Sequence, residues 1–385
     1  YDYTGGHVRG ELDKIGDKRI AVIGTGASGI QVIPQLARGA KHLTVFQRTP
    51  SYIFERGDQR TDPEWAKSLE PGWQAQRQRN FHNAAYSFYS PGEPDLICDA
   101  WTEVARNLAR KLDATDGWAA LADPAVFLQM KEVEDYRAMQ RVRDRVDSLV
   151  TDPEIAETLK PYYRHLCKRP CFSDEYLPTY NRPNVTLVDV SGDKGVERIT
   201  EKGVVAGGVE YEVDCIIFAS GFEITTELER QFDIKPFAGR GGKSLYEHWN
   251  QGQTPRTLHG IMSHGFPNHF ATGFVQGGVT AATTLMYQQQ AEHIAYIIAQ
   301  AQQRGARVVE PTQEAEDAWV ATIREYSIDN SEFTTTCTPG YYNAEGEPNG
   351  RGFLGDPYWG GFYELGDLLQ AWRDTGALEG LTLGE

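Results

Sequence analysis

The chain has 385 residues, enough for two or more domains with sizeable cores, and its composition is that of an ordinary globular protein. Its formal net charge is -16, from 54 acidic and 38 basic residues. This balance argues against nucleic acid and anionic membranes as partners, because both demand a basic face. No apolar run approaches the ~18 residues that a membrane span needs, and the first residues are too polar for a signal peptide.

Five cysteines are scattered along the chain, and no metal site is expected among them. An odd, sparse set fits a reducing compartment better than a disulfide framework, so the sequence predicts a cytoplasmic protein. Cys167 and Cys171 lack the C-x-x-C spacing of redox dithiols, and no second pair completes a metal-binding set.

The first predicted elements form a βαβ unit. Residues 18–24 are predicted as a buried strand, 27–38 as a helix that contains Pro34, and 42–48 as the next strand. Together they occupy about 30 residues, the size of one such unit. Between the first strand and the helix lies a G-x-G-x-x-G motif, formed by Gly24, Thr25, Gly26, Ala27, Ser28 and Gly29.

Each glycine of this motif has a physical role in dinucleotide-binding proteins. The first permits a tight turn, the second lets the backbone approach a pyrophosphate, and the third lets helix and strand pack closely. The helix N-terminus adds amide groups and a positive dipole end. The bare motif is weak evidence, but its place after a strand and before a helix favours a dinucleotide site over a purely structural turn.

An arginine follows the second strand, where the adenosine ribose is expected. NAD sites normally place Asp or Glu there, about 20 residues downstream. This chain has Arg48 and Thr49 instead. Because a guanidinium matches a 2′-phosphate, the sequence predicts NADPH rather than NADH, the alternative being a surface arginine.

Residues 55–165 have a mostly helical pattern. Asp-Pro pairs, which place an N-cap before a first-turn proline, predict helix starts at Asp62, Asp123 and Asp152. The segment Lys168-Arg169-Pro170 stands where the chain returns to the sheet. Two adjacent cations there would suit a phosphate and a developing oxyanion, although such a pair is more often a solvated face.

After residue 184 the residue pattern is again typical of β-strands. Residues 184–190 are predicted as a strand, 197–213 as an antiparallel meander, and 214–221 as a buried strand that ends at a glycine. A parallel sheet would place that glycine at its carboxyl edge, where nucleotides bind. Helices are predicted over about 281–303 and 312–326.

The order and spacing of several segments resemble the Baeyer–Villiger monooxygenases, which are class B flavoprotein monooxygenases. The matching segments are Gly24–Gln31, Val45–Pro50, Lys168–Pro170, Tyr180–Val185, Ile216–Phe222, Gly265–Asn268 and Cys337–Asn343. The resemblance implies NADPH and FAD as cofactors, and a ketone and O2 as substrates. The reduced flavin then forms a C4a-peroxyflavin, which attacks the ketone carbonyl and leads to an ester or lactone.

The resemblance also implies roles for individual residues. Arg169 is the catalytic residue, which stabilises the anionic peroxyflavin and the bound nicotinamide. Arg48, Thr49 and Lys168 bind the 2′-phosphate. Gly24, Gly26, Ser28, Gly29 and Gln31 surround the pyrophosphate, and Thr25 and Ala27 of the same turn are also counted as cofactor-binding. The segment Ala219-Ser220-Gly221 links the NADP and FAD domains, and Gln276 lies near the flavin ring.

Two departures from the family pattern lead us to expect a C-terminal portion of a longer enzyme. No G-x-G-x-x-G motif precedes residue 24, although the family binds FAD with an earlier one. Residues 1–6 also resemble the segment that follows the family's F-x-G-x-x-x-H-x-x-x-W signature. The isolated chain is therefore expected to lack the main phosphate turn for FAD.

The predicted fold is α/β, with a Rossmann-like NADP-binding domain, a helical insertion and the C-terminal part of a second Rossmann-like domain for FAD. The predicted boundaries are 1–16 for a linker, 17–54 with 166–221 for the NADP domain, 55–165 for the insertion and 222–385 for the FAD-domain part and tail. Two alternative functions stay open. One is a flavin monooxygenase that oxidises nitrogen or sulfur atoms, and the other is a non-catalytic NADP(H)-binding module.

Overall fold

A computed structural model describes residues 3–6, 12–87, 89–115, 117–192, 195–222, 238–329, 331–340, 343, 346 and 356–385. The chain forms two compact units. The first unit consists of residues 1–73 and 98–222, and the second of residues 74–97 and 223–385. The second unit thus includes a stretch, 74–97, that the sequence pattern grouped with the helical insertion.

A four-stranded parallel sheet forms the centre of the first unit. Its strand order is β5-β2-β1-β9, and every neighbouring pair is parallel. The strands are β1 (Arg19–Ile23), β2 (His42–Gln47), β5 (Val185–Asp189) and β9 (Cys215–Phe218). All four strands predicted for this region are confirmed, as is the mixed α/β class with a parallel sheet.

Helix α1 (Gly29–Gly39) connects β1 to β2 and packs on the sheet. Ile30, Ile33 and Leu36 are buried on one side of the helix, at the spacing of an amphipathic stripe. Pro34 lies inside the helix and is itself buried. The helix begins two residues later than predicted, because the glycine turn extends to Ser28.

The predicted helical insertion is helical throughout its described elements. These are α2 (Pro63–Lys67), α3 (Trp73–His82), a π-helix (Asn83–Ser87), α4 (Glu103–Thr115), a 3-10 helix (Gly117–Ala122), α5 (Pro124–Leu149) and α6 (Pro153–Leu159). The side chains of Asp62 and Asp152 accept hydrogen bonds from the amides of the first helical turns. The three predicted Asp-Pro helix starts are confirmed, because α2, α5 and α6 each begin at the proline of the pair.

The first unit is completed by short elements. Strands β3 (Ile53–Phe54) and β4 (Cys171–Phe172) form a parallel pair, and helix α7 (Tyr176–Thr179) follows. Strands β6 (Arg198–Ile199), β7 (Gly203–Ala206) and β8 (Val209–Glu212) form an antiparallel sheet. This sheet is the predicted antiparallel meander.

The second unit is mainly helical in its described part. Its elements are a 3-10 helix (Arg240–Gly242), α8 (Leu245–His248), α9 (Thr283–Gln303), β10 (Val308–Pro311), α10 (Gln313–Glu325), α11 (Ser331–Thr336), α12 (Phe362–Asp374) and β11 (Leu381–Gly384). Strands β10 and β11 pair antiparallel. Both long helices predicted here are confirmed as α9 and α10. None of the helices in the described ranges combines the length and the apolar character that crossing a membrane requires.

The cysteines depart from the expectation of a fully reduced set. Cys171 and Cys215 are free thiols, whereas Cys167 is disulfide-bonded. The expectation of reduced thiols is therefore wrong for Cys167. Sequence spacing misses this bond because it reports neighbours along the chain and not neighbours in space.

Candidate functional site

The glycine turn joins the carboxyl end of β1 to helix α1. Gly24 has a φ of 104°, and a Cβ atom at this position would lie 2.5 Å from the carbonyl oxygen of Ala219. The Gly24 amide also donates to the carbonyl of Phe46 on β2 at 3.0 Å. Only glycine fits this conformation and this close approach of three strand ends. The predicted role of Gly24 in forming a tight turn is confirmed by this geometry.

The third glycine, Gly29, packs the helix onto the turn. A Cβ atom there would lie 2.5 Å from the carbonyl oxygen of Gly24. By contrast, a Cβ atom on Gly26 would meet no atom within 4 Å. Gly26 therefore has no internal packing reason to be glycine, whereas a ligand that approaches the backbone supplies one.

The amides at the start of α1 are available to such a ligand. Within the described residues, the main-chain N–H groups of residues 26–29 donate no hydrogen bond. Gly26, Ala27 and Ser28 are exposed. Unsatisfied amides at a helix N-terminus, together with the positive end of the helix dipole, bind phosphate groups. The exposed Gln31 stabilises the turn, since its Nε2 donates to the Ala27 carbonyl at 2.7 Å.

Thr25 has a different environment from its neighbours. Its side chain is buried, and Oγ1 donates to the carbonyl of Thr49 at 3.2 Å. The Oγ of Ser51 donates to the carbonyl of Thr25 at 2.6 Å. These two bonds fasten the glycine turn to the segment after β2. The sequence predicted Thr25 as a cofactor-binding residue and did not single out Ser51; the side chains of both hold the site together.

The ends of β1 and β9 form the crevice of the sheet. The Ala219 amide donates to the Ile23 carbonyl at 2.8 Å, so 219–221 begins beside the glycine turn. Ser220 and Gly221 are exposed, and Gly221 has a φ of 97°. The chain leaves β1 and continues to β2, which lies on one side of β1 in the sheet. Strand β9 lies on the other side of β1. Such a topological switch point is where parallel α/β sheets typically bind ligands. The glycine end of β9 lies at the carboxyl edge of the sheet, as predicted.

Arg48 lies directly after β2, on the same edge of the sheet as the glycine turn. Its side chain is exposed, and the following Thr49 is half-buried. The preceding Gln47 is almost fully buried, and its Nε2 donates to the Thr158 carbonyl at 2.8 Å. The end of β2 is therefore held by Gln47, which the sequence did not single out, while Arg48 faces solvent.

Lys168 and Arg169 lie on a segment that runs beside the one carrying Arg48. The two segments pair through Ile53 with Cys171 and Phe54 with Phe172. Arg169 is exposed, and in the described part of the chain its guanidinium makes no ion pair or hydrogen bond. Lys168 is half-buried. The fold thus brings the two predicted cationic positions onto neighbouring segments of one unit.

A contact between Asp135 and His165 supports the start of this second segment. The Oδ1 of Asp135 on α5 accepts from the His165 amide at 2.8 Å. Burial raises the pKa of Asp135 to about 6, and burial lowers the pKa of His165 to about 4. The His165 Nε2 is buried without a hydrogen-bond partner in the described residues. Neutral His165 packs edge-on against the rings of Tyr52 and Phe54.

Gln276 lies in the second unit and is almost completely buried. Its Oε1 accepts from the Thr257 amide at 3.0 Å and from the Thr257 hydroxyl at 2.6 Å, and its Nε2 donates to the Pro255 carbonyl at 2.7 Å. Both ends of the amide are therefore bonded within the unit. The predicted contact with a flavin ring stays a prediction, and the side chain's observed role is to hold the 255–260 loop.

The first unit provides a fit for a dinucleotide on geometric grounds. Four free amides, an open glycine and a helix N-terminus stand at the switch point of the sheet. Cations on two paired segments lie beyond the end of β2 and within the same unit. A pyrophosphate needs hydrogen-bond donors that no side chain covers, and a 2′-phosphate needs cationic side chains. The first unit contains both kinds of group.

Comparison with known proteins identifies similar sequences. No protein-family model matches the chain. It is 46% identical over 389 residues to neopentalenolactone D synthase of Streptomyces avermitilis, a match that covers all of this chain and 64% of that protein. It is 44% identical over 374 residues to a Baeyer–Villiger monooxygenase of Streptomyces coelicolor, with 97% and 60% of the two chains covered.

Solved structures with the same fold point to the same group. The polycyclic ketone monooxygenase of the thermophilic fungus Thermothelomyces thermophila matches with a TM-score of 0.81 at 35% identity, over 100% of this chain and 62% of that one. A complex of the enzyme named OTEMO with FAD and NADP matches with a TM-score of 0.68 at 25% identity, over 96% and 67%.

The chain spans 60–65% of the length of the curated relatives that it matches. The sequence similarity extends over the whole of the present chain, and the structural similarity includes the parallel sheet. By sequence over its whole length and by fold, the chain is therefore similar to a large part of the Baeyer–Villiger monooxygenases.

Proposed function

We propose that this chain carries the NADPH-binding part of a flavin-dependent monooxygenase that inserts one oxygen atom of O2 next to a ketone carbonyl. The observation that carries the proposal is the open glycine turn, whose four amides lack acceptors, in the same unit as two cationic segments. Similarity to a protein named Baeyer–Villiger monooxygenase supports the same reaction class.

In the proposed site, the amides of residues 26–29 bind the pyrophosphate of NADPH. Arg48, Thr49 and Lys168 hold the 2′-phosphate. A planar guanidinium donates two parallel hydrogen bonds to a phosphate, whereas an acidic residue at the same position would repel it. Arg48 can bind the phosphate even if its guanidinium has a carboxylate partner in the free protein. An exposed ion pair contributes little stability and exchanges readily with a bound phosphate.

Arg169 is proposed as the catalytic residue. FAD, when bound and reduced by NADPH, supplies the chemistry that activates O2. Arg169 holds a permanent positive charge beside the NADPH site, where it stabilises negative charge that develops during the reaction. Its guanidinium has no ion pair in the described ranges, so this charge is not already neutralised by the protein.

The test begins with the purified chain and added FAD. Free flavin is removed by gel filtration, and the visible spectrum is recorded. A flavin band near one equivalent supports FAD binding by this chain, and NADPH oxidation is then measured with a cyclic ketone and, separately, with a thioether. Faster oxidation with the ketone supports the proposal, and a preference for the thioether favours an enzyme that oxidises heteroatoms.

A colourless protein that binds NADPH identifies the chain as an NADPH-binding module that is silent by itself. The matched variants are Arg169→Ala and Arg198→Ala, because both residues are exposed arginines of the first unit. The proposal requires that Arg169→Ala abolishes ketone-dependent NADPH oxidation while Arg198→Ala, in the antiparallel meander, leaves it unchanged. Equal activity of the two variants contradicts the role of Arg169.

A further inference from the structure

Two segments of the first unit carry the proposed 2′-phosphate and catalytic cations. The ribose segment comprises residues 48–54, and the cation segment comprises residues 163–172. Strands β3 and β4 pair them only at their far ends, at 53–54 and 171–172. The cations themselves lie earlier on both segments, at positions 48 and 168–169. Something other than strand pairing must therefore set the spacing of the cations.

Two tyrosine hydroxyls cross between the segments in opposite directions. The hydroxyl of Tyr52, on the ribose segment, donates to the carbonyl of Lys168 at 2.6 Å. The hydroxyl of Tyr163, on the cation segment, donates to the carbonyl of Pro50 at 2.7 Å. The two rings also contact each other edge to face, with centroids 5.9 Å apart. Each segment thus holds the main chain of the other.

The chemistry of these bonds suits a fixed spacing. Tyr52 is 0% exposed, so its bond to Lys168 is shielded from water. Burial raises the pKa of Tyr163 well above its ordinary value, and its hydroxyl therefore remains protonated and able to donate. Both acceptors are main-chain carbonyls, so the bonds fix the backbone at Pro50 and Lys168 without using the cationic side chains.

The ribose segment is in turn fastened to the glycine turn. Thr25 Oγ1 donates to the Thr49 carbonyl, and Ser51 Oγ donates to the Thr25 carbonyl. The chain of contacts runs from the pyrophosphate turn through residues 49–52 to Lys168. A ligand that contacts both the glycine turn and the cations must therefore match the distance that these hydrogen bonds fix between the turn and the cations.

We propose that Tyr52 and Tyr163 are positioning residues that make the site selective for a 2′-phosphorylated nucleotide. This inference rests on the proposed function, because it assumes that Arg48 and Lys168 bind the 2′-phosphate. A nucleotide without the 2′-phosphate uses only the glycine turn and does not need the crossed tyrosines. The two tyrosines are therefore expected to change the ratio of the NADPH affinity to the NADH affinity, and to leave the affinity of the glycine turn for NADH unchanged.

The experiment measures Kd values for NADPH and NADH with Tyr52→Phe and Tyr163→Phe variants of the full chain. Each variant removes one hydroxyl and keeps the ring, and one hydrogen bond is worth roughly a 3- to 10-fold change. The selectivity for NADPH over NADH is expected to fall by about that factor in each variant. The NADH affinity serves as an internal control, because a general loss of folded protein weakens both nucleotides equally.

Tyr162→Phe is the matched control variant. Tyr162 is the neighbour of Tyr163, but it is 68% exposed and its hydroxyl donates to the Glu157 carboxylate. Its loss is expected to leave the selectivity unchanged. If Tyr52→Phe and Tyr163→Phe bind both nucleotides as the parent does, or lose affinity for both alike, the positioning role is overturned.

An Arg48→Ala arm separates failure of this inference from failure of the proposed function. If Arg48→Ala lowers the selectivity while the tyrosine variants retain it, only the positioning role is wrong. If Arg48→Ala leaves the selectivity intact as well, the assignment of the 2′-phosphate site itself is wrong. A fall in selectivity in all three variants, with Tyr162→Phe unchanged, supports both.

Discussion

Gly24 lies against the main chain of Ala219 so closely that a Cβ atom at position 24 would be 2.5 Å from the Ala219 carbonyl oxygen. This contact joins the ends of β1 and β9 at the crevice where the proposed nucleotide binds. A similar contact, between Gly29 and the Gly24 carbonyl, sets helix α1 on the turn. The first and third glycines of the motif therefore belong to the packing of the sheet, and the second faces open space.

The three glycines are expected to respond differently to alanine. Gly24→Ala combines a positive φ with a main-chain clash and should lower the free energy of unfolding by about 3 kcal/mol. Gly26→Ala meets no neighbour, so stability should change by no more than about 0.5 kcal/mol. Its methyl group would occupy the position of the pyrophosphate, and NADPH affinity should fall by roughly tenfold or more.

Thermal unfolding and NADPH titration of the same two variants check this difference. Gly24→Ala should unfold at a lower temperature than the parent. Gly26→Ala should bind NADPH more weakly while its unfolding transition stays unchanged. Wild-type NADPH affinity in Gly26→Ala would contradict the approach of a pyrophosphate to this glycine.

Replacing Arg48 tests the cofactor preference. Arg48→Ala should lose about 1–3 kcal/mol of NADPH binding, the scale of a hydrogen bond to a charged group. NADH binding should barely change, because NADH has no 2′-phosphate. Fluorescence titration with both nucleotides measures the two values, and Arg198→Ala is a control for removal of an exposed arginine. Equal losses of binding free energy for NADPH and NADH would contradict the proposal that Arg48 binds the 2′-phosphate.

Asp135 predicts a pH dependence for the first unit. Burial raises its pKa from 3.8 to about 6 in the folded chain. The folded state then binds this proton more tightly than the unfolded state, so the contribution to stability is fully present below about pH 4 and is lost as the pH rises through about 6. Because Asp135 is partly accessible to water, the loss is expected to be about 1–2 kcal/mol.

Asp135→Asn removes this titration and keeps an oxygen that accepts from the His165 amide. The variant should be more stable than the parent at pH 8 and about equal at pH 4, as measured by urea unfolding. Asp144→Asn, at an exposed position of the same helix, is the matched control. A stability difference that is the same at both pH values would show that Asp135 does not titrate in this range.

The second unit contains a buried histidine pair that predicts acid sensitivity. His259 Nδ1 and His293 Nε2 are 3.0 Å apart, and both side chains are buried. Burial lowers the pKa of His259 to about 3 and that of His293 to about 4. The unfolded chain binds these protons more readily, so stability is retained above about pH 6.5 and is lost as the pH falls from there toward about 4.

Each histidine should contribute up to about 1.4 kcal/mol per pH unit to this loss. His293→Gln removes one titrating group and should reduce the slope of unfolding free energy against pH between about 6 and 4.5 by that amount. Unfolding curves at several pH values measure the slope. An unchanged slope in His293→Gln would mean that the pair is protonated in the folded state.

Much of the first unit was predictable because its signals are local. The βαβ unit, the glycine turn and Arg48 lie within 30 contiguous residues, where apolar periodicity and the preceding strand provide the context. The Asp-Pro helix starts and the meander are local in the same sense. Each depends on a hydrogen bond or a turn between residues that are close along the chain.

The sequence by itself determined the fold class, the position of the glycine turn and the similarity to Baeyer–Villiger monooxygenases. Only the tertiary structure decided that Thr25 holds the ribose segment, that both ends of the Gln276 amide are bonded internally, and that Cys167 is not a free thiol. It also brought Tyr52 to the Lys168 carbonyl across 116 positions of the chain. The physical reason is that a side chain's partner at such a separation is selected by packing of the whole unit, which no periodicity records.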